Sequence, residues 1–437
     1  MNGTVRLLLC AALIGSLMIL IILFTAPTGA GADLIVSQDG NGDYSTIREA
    51  IENATEGDTI RVWEGEYNER VVVSKTLTLI GNGSDSTVID WNGTASLVII
   101  NADWVNFTGF GIRGHFIQWA SGIEITSDHT MISENSVSNL TKGIILNGAK
   151  DTIISHNEVW DIDPGFGYVS DAIYLWGADR NLIANNYLHH AKRGIYVHTY
   201  SDDTIILNNT VEHMELNGIQ SGQHCVRISN NSCRYCGAYG LTYRSGSTMI
   251  DNNTFTNNHD GVSISSGDNL LFENNTCADN TNDGLTFDSG GNGRYFNNVI
   301  TNNTRGVNAT DRTGRNEFQY NQIYGNSKYG FDKDGPGDIN ATHNWWGDPT
   351  GPKHWSNWEA FGDNVSDNVV FDPWLTEFDD GDQGNLNGDD GGGSGPGKIF
   401  MGVLVIILIA GVGGYILSEE RERKEPTKND KSKTDEK

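Results

Sequence analysis

Residues able to hold a sugar ring or move a proton gather in the middle third of this chain. Trp160, Tyr174, Trp176 and Tyr196 offer aromatic faces, and His190, His198, His213, Arg234, Arg244 and Asp163 stand among them. Sugar C–H faces pack on π surfaces while their hydroxyls bond to polar neighbours, so this mixture suits a glycan. Acid–base work on a sugar needs paired groups; Asp163 with His198 is the candidate pair, and Arg244 completes the candidate catalytic set. Trp160, Tyr174, Trp176, His190, Tyr196, His213 and Arg234 form the candidate binding set. His189, His190 and His213 are possible metal ligands, but no tight ligand spacing surrounds them. No metal residue is therefore assigned; calcium and copper are the candidate cofactors, without a motif for either.

What must position these residues is visible in the composition. The chain has 437 residues, with 53 Gly, 46 Asn and only 8 Pro. Asn and Gly both disfavour helix interiors, which argues against a helical protein. The 41 aromatic residues argue against disorder, because they can supply a core. A net charge of −27 repels phosphate backbones and excludes nucleic acid as the expected partner.

A repeat of 22–24 residues runs through the chain. Asn followed two positions later by an apolar residue occurs at Asn135, Asn157, Asn186, Asn209, Asn231, Asn253, Asn275, Asn298, Asn321 and Asn344. A Gly-apolar pair keeps nearly the same beat at Gly122, Gly143, Gly194, Gly218, Gly240, Gly261, Gly284, Gly306 and Gly330. Three apolar columns result, typified by Ile132, Val137 and Ile123 and their equivalents one repeat later. Three short strands per repeat, each with its own inward column, predict the turn of an all-β parallel β-helix. Asn suits its corners and can stack into amide ladders. The one long step, 29 residues, comes from an insertion at 160–171. Because it breaks the repeat, and because alternation points Tyr174, Trp176, Tyr196 and His198 outward, the candidate site is expected on one side near it.

Open solenoid ends need covers. Thr46-Ile-Arg-Glu49 is a capping-box pattern, with Ile47, Ala50, Ile51 and Ala54 on one helical face, so a short helix is expected over the first turn. Trp345, Trp346, Trp355, Trp358 and Trp374 are expected to close the last one.

The segment DGNGDYSTIREAIENATEGDTIRVWEGEYNERVVVSKTLTLIG, the Asn/Gly repeats, NWWGDPTGP and VVFDPWL together resemble the right-handed, pectin-lyase-like β-helix proteins of archaeal and bacterial surfaces. The resemblance covers about 34–376 and implies a right-handed single-stranded β-helix. Within it, DAIYLWGADRNLIANNYLHHAKRGIYVHTYSDDTIILNNTV is similar to the NosD-type subgroup, whose members are exported and linked to copper-site maturation. The repeat itself does not imply that function, because many carbohydrate-binding and sugar-hydrolysing β-helix domains share it. Polygalacturonase signatures are missing apart from isolated Asp-Asp pairs, and Val159-Trp-Asp-Ile-Asp163 lacks the His of the pectate-lyase segment it resembles. Neither catalytic set is present in recognisable form.

The ends suggest a compartment. Residues 7–24 are apolar, follow Arg6, and precede an Ala30-x-Ala32 cleavage pattern, as in a secretory signal over 1–32. Residues 399–417 carry no charge and would span about 28 Å as a helix. The tail, 418–437, holds seven Lys/Arg, so it is expected inside and the β-helix, 33–376, outside. Residues 377–398 form an acidic, Gly-rich linker; its 379–393 stretch has a calcium-loop look without the closing Glu.

Cys233 and Cys277 fall two turns apart, too far to pair, whereas Cys236 with Cys225 or Cys233 is the candidate disulfide. Thirteen sequons follow the signal, five of them arising from the Asn-Asn-Thr/Ser corner itself. The sequence thus reads as a membrane-anchored surface β-helix that binds a polysaccharide or cell-surface glycan, with processing of that glycan as the extended reading. A structural or adhesive surface protein without ligand, and a NosD-like copper accessory factor, are the alternatives.

Overall fold

The computed structural model describes residues 31–377, apart from 117–120, 163–169, 223–224, 245, 267–268, 289–290 and 311–314. The signal core, linker, apolar run and tail therefore lie outside the described residues. Among those described, no helix is long and apolar enough to cross a membrane.

The chain coils into a parallel β-solenoid of three long sheets with 15, 12 and 12 strands, and a separate two-stranded sheet. One turn shows the plan: Met131–Ser133 lies in the first sheet, Ser136–Leu140 in the second and Lys142–Asn147 in the third. Each strand pairs in parallel with its equivalent one turn on, at Ile153–Ser155, Glu158–Ile162 and Asp171–Trp176. The three apolar columns read from the repeat are the three inward rows. Ile132, Val137 and Ile123 are each fully buried, as are Phe318, Ile323 and Phe331 near the far end.

The recurring glycine has a steric cause. It enters the third sheet where successive turns approach closely: a Cβ on Gly261 would lie 2.3 Å from the Gly284 carbonyl oxygen. Only Gly fits such an approach without a shift of the backbone.

The repeated asparagines divide into two roles that the spacing alone merged. Asn135, Asn157, Asn186, Asn209 and their successors are buried and form an amide ladder. Asn231 Nδ2 donates to Asn253 Oδ1 at 3.0 Å, and the Asn231 backbone N–H donates to the same oxygen at 2.9 Å. The left-handed corner is the residue before each ladder Asn, such as Asn208, Asn230, Asn252 and Asn274, with φ between 54° and 56°. A second ladder, unforeseen in the repeat, runs through Asn258, Asn280, Asn303 and Asn326 at the next corner. It ends on Asp363, whose carboxylate accepts from the Asn326 Nδ2 and the Asn326 and Gly325 backbone N–H groups.

A seven-residue helix, α1 (Ile47–Asn53), is held at both ends. Thr46 Oγ1 accepts from the Glu49 N–H, and the Glu69 carboxylate accepts from the Ile47 and Arg48 N–H groups. At the other end, Lys75 donates to the carbonyls of Ile51, Glu52 and Ala54. An anion at the positive end and a cation at the negative end both stabilise the helix. Ile47, Ala50 and Ile51 join the solenoid's core.

At the far end the aromatic closure is only partial. Trp346 is fully buried and Trp374 packs on the core, but Trp355 and Trp358 stand in solvent at 75% and 72% exposure, joined by Phe361 at 81%. Trp355 spends its indole N–H on Asp367, which fixes it away from the last turn.

Cys225, Cys233, Cys236 and Cys277 are free and buried, so neither candidate pairing of Cys236 is joined. Burial pushes the Cys225 and Cys236 thiols up to about 12, leaving them protonated packing groups.

Candidate functional site

The sequence-derived site residues do not share one face; they divide between the third and second sheets. On the third sheet, Asp171–Trp176 pairs with Arg193–Val197 so that Asp171 lies beside Arg193 and Tyr174 beside Tyr196. Alternation sends Ile173 and Leu175 into the core and Tyr174 and Trp176 outward. Tyr174 and Tyr196 are half-buried, and Trp176 is 46% exposed. Their rings make a continuous surface. The Tyr174 and Tyr196 centroids are 5.5 Å apart, and Trp176 stacks on His198 at 4.5 Å with 19° between planes. His198 Nδ1 meets the Thr199 hydroxyl at 2.8 Å.

Beneath that surface lies an ion pair. Arg193 Nε and Nη2 donate to the two carboxylate oxygens of Asp171 at 2.6 and 3.1 Å, and both side chains are nearly buried. Arg193 also lies 3.6 Å from the Tyr196 ring centroid and donates to Gln220 Oε1 at 3.2 Å. Lys142 reaches to 5.5 Å from the Tyr174 ring centre. Burial pushes the Asp171 carboxyl above its usual range, against the opposing pull of Arg193, Lys142 and His198. Burial likewise raises the Tyr174 hydroxyl to about 12, so it is a neutral donor at ordinary pH.

The second sheet carries the other set. Trp160 and His189 lie parallel, 6.0 Å apart, and His189 Nε2 meets Glu158 Oε1 at 3.2 Å. His190, His213 and Tyr235 occupy successive left-handed corners and stack at 5.3 and 5.0 Å. Arg234 donates to Glu212, which also accepts from the Tyr187 hydroxyl at 2.5 Å. Burial lifts the Glu212 carboxyl, but these two bonds outweigh it and hold the group below its usual range. His190, His213, Arg234 and Tyr235 are exposed, Trp160 and His189 are half-buried, and Glu212 is buried beneath its two bonds. The ion pair of this row, Arg234 with Glu212, has one exposed partner, whereas both partners of the Asp171–Arg193 pair are nearly buried.

Of the candidate catalytic set, Asp163 lies outside the described residues, so its pairing with His198 does too. Arg244 follows the strand Tyr239–Tyr243 and is exposed, with its backbone N–H on the Ser221 carbonyl. Among the described residues, no three His, Cys, Asp or Glu side chains are grouped to hold a metal. His189, His190 and His213 instead bond or stack with one another.

Sequence reading underrated Lys142, Asp171 and Arg193. Arg193 is 9% exposed and paired. A signal was present: the residue before each Gly-apolar pair forms its own column, and Asp171 and Arg193 are opposite charges on adjacent turns. Asp283 and Arg305 repeat that arrangement farther along, with bonds of 2.7 and 2.8 Å.

Comparison with known proteins places this geometry in a family. The model for the right-handed β-helix region matches residues 95–248 and 217–346, and the pectinesterase model matches 33–132. A probable pectinesterase/pectinesterase inhibitor of Arabidopsis thaliana is 43% identical over 92 residues, 19% of this chain and 18% of that protein. A cell surface glycoprotein of Methanothermus fervidus is 27% identical over 250 residues, 49% of this chain and 41% of that protein. The matches thus span less than half of each of these relatives. Among solved structures, the A-module of a mannuronan C-5 epimerase of Azotobacter vinelandii aligns with a TM-score of 0.51 at 16% identity, over 75% of this chain and 96% of that one. The catalytic unit of an α-1,3-glucanase of Streptomyces thermodiastaticus gives 0.52 at 15%, over 80% and 70%. At such identities the likeness is one of fold. With overlapping matches covering 95–346 and three parallel sheets coiled as that family requires, the chain belongs to the right-handed β-helix family.

Proposed function

We propose that this protein displays its β-helix at the cell surface and binds a polysaccharide or glycan on the third sheet, at Tyr174, Trp176, Tyr196 and His198. The observation that carries the reading is the joined aromatic surface over the Asp171–Arg193 pair. Stacked Trp176 and His198 offer a flat apolar face, while Lys142, Gln220 and the Tyr hydroxyls supply polar groups at its margin. A rigid scaffold holds the rings in place before a ligand arrives, so little side-chain entropy is lost on binding. The named relatives, pectinesterases and a surface glycoprotein, agree with a carbohydrate-related role outside the cell. In this reading 1–32 directs export and 399–417 anchors the chain, with 377–398 as a spacer. Turnover would draw on Asp163, His198 and Arg244.

A glycan array probed with the β-helix region, 33–377, tests the proposal. Binding to a defined class of glycan is expected. No binding across neutral and acidic polysaccharides would favour a purely structural surface protein.

A further inference from the structure

Four consecutive turns carry the sequence Asn-Asn-Thr/Ser at one corner: Asn208–Thr210, Asn230–Ser232, Asn252–Thr254 and Asn274–Thr276. In each, the second Asn is buried in the amide ladder and unavailable. The first Asn is exposed and in the left-handed conformation. The four stack in register. The Asn208 N–H donates to the Ser229 carbonyl, Asn230 to Asp251, Asn252 to Glu273 and Asn274 to Phe296, each acceptor standing just before the next turn's corner residue. Thr210, Ser232, Thr254 and Thr276 pair directly along the second sheet.

The fold does not require this triplet. The ladder needs only its middle Asn. Other turns place Glu134, His156, Tyr320 or His343 at the same left-handed corner. Where the corner residue is Asn185 or Asn297, the third position is Tyr187 or Val299; after His156 and Tyr320 it is Glu158 and Gln322, and only the Glu134 turn adds a hydroxyl, Ser136, without the corner Asn. An exposed corner Asn and a hydroxyl two residues on therefore coincide in four successive turns without a packing reason. Together they make the acceptor pattern for N-linked glycan.

We infer that Asn208, Asn230, Asn252 and Asn274 form a column of N-glycan attachment sites on the first-to-second-sheet corner, and that adjacent turns exclude one another. Neighbouring strands lie about 4.8 Å apart, less than the width of a hydrated sugar ring. Two glycans leaving the same corner on consecutive turns would occupy the same space; two leaving alternate turns would not. The Asn252 amide donates to Asp251 Oδ2 at 2.6 Å. A glycosylated amide keeps one N–H, so that bond survives attachment.

Trypsin provides a direct readout, because no Lys or Arg lies between Arg244 and Arg294. The peptide 245–294 holds Asn252 and Asn274, two adjacent turns, and no other sequon. Mass spectrometry of this glycopeptide, from full-length protein made by its own cells, should find one glycan and never two. Asn252→Gln should raise the occupancy of Asn274. An unmodified peptide, or a doubly modified one, would overturn the inference, as would Asn274 occupancy unchanged in Asn252→Gln protein.

Discussion

Asp171 and Arg193 show how a polar pair can be buried without being wasted. The guanidinium meets the carboxylate with two parallel bonds and then lays its plane on Tyr196. It orders the ring that the ligand would touch. Removing one partner leaves the other charge unpaired in a dry place, which typically costs about 3–5 kcal/mol. Asp171→Asn keeps the shape but removes the charge, so it should lower the melting temperature and loosen Tyr196. The checks are thermal unfolding and the order of the Tyr196 ring by NMR. Asp363 tests a different point, the effect of ending an amide ladder on a carboxylate. Burial raises its pKa in the folded state, so folding favours the protonated form. That contribution is present below the unfolded carboxyl's pKa and is lost as pH rises through the folded one. Asp363→Asn loses the bond from the Gly325 N–H at every pH. On this constant offset, its melting temperature relative to the parent should rise between pH 4 and pH 7. A gap that stays constant or moves the other way would contradict the assignment.

At the scale of elements, the strands were legible in the sequence because the repeat forces register. Ile132, Val137 and Ile123 recur every turn, and a one-residue slip would expose a whole column. The buried amide ladder was legible for the same reason. Its second member at the next corner was not, since Asn258, Asn280, Asn303 and Asn326 occupy only four turns and follow another Asn in two of them. The two ladders explain why so polar a chain holds a tight core: every ladder amide has a partner. Asn253→Ala should leave the buried Asn231 backbone N–H without its acceptor, at about 1–3 kcal/mol, while Asn231 Nδ2 keeps the Ile206 and Ser229 carbonyls. Asn257→Ala, at an exposed left-handed corner with φ of 57°, should cost only the backbone strain of one residue, about 1–2 kcal/mol. Equal melting temperatures for the two variants would mean that the ladder contributes nothing beyond turn geometry.

For the whole molecule, the solenoid sets what sequence could and could not place. It fixes which residues share a sheet, and Tyr174, Trp176, Tyr196 and His198 duly meet. Spacing did not reveal that Trp160, His190, His213 and Arg234 form a row separate from that of the adjacent strand. A site expected on one side thus resolved into two rows. Nor did composition tell which tryptophans cover the end of the coil, because Trp346 and Trp355 differ only in the path of the chain between them. Rings are joined in both rows, so the proposal for the third sheet rests on the buried Asp171–Arg193 pair that packs against Tyr196. The most direct test is a binding titration of the β-helix region with the glycan found on the array, repeated with Trp176→Ala and with Trp355→Ala. Loss of one exposed stacking ring is worth about 1–2 kcal/mol here, so Trp176→Ala should weaken binding roughly 5- to 30-fold with an unchanged melting temperature. Trp355→Ala should bind like the parent. Full binding by Trp176→Ala, or its loss in Trp355→Ala instead, would contradict a carbohydrate site on the third sheet.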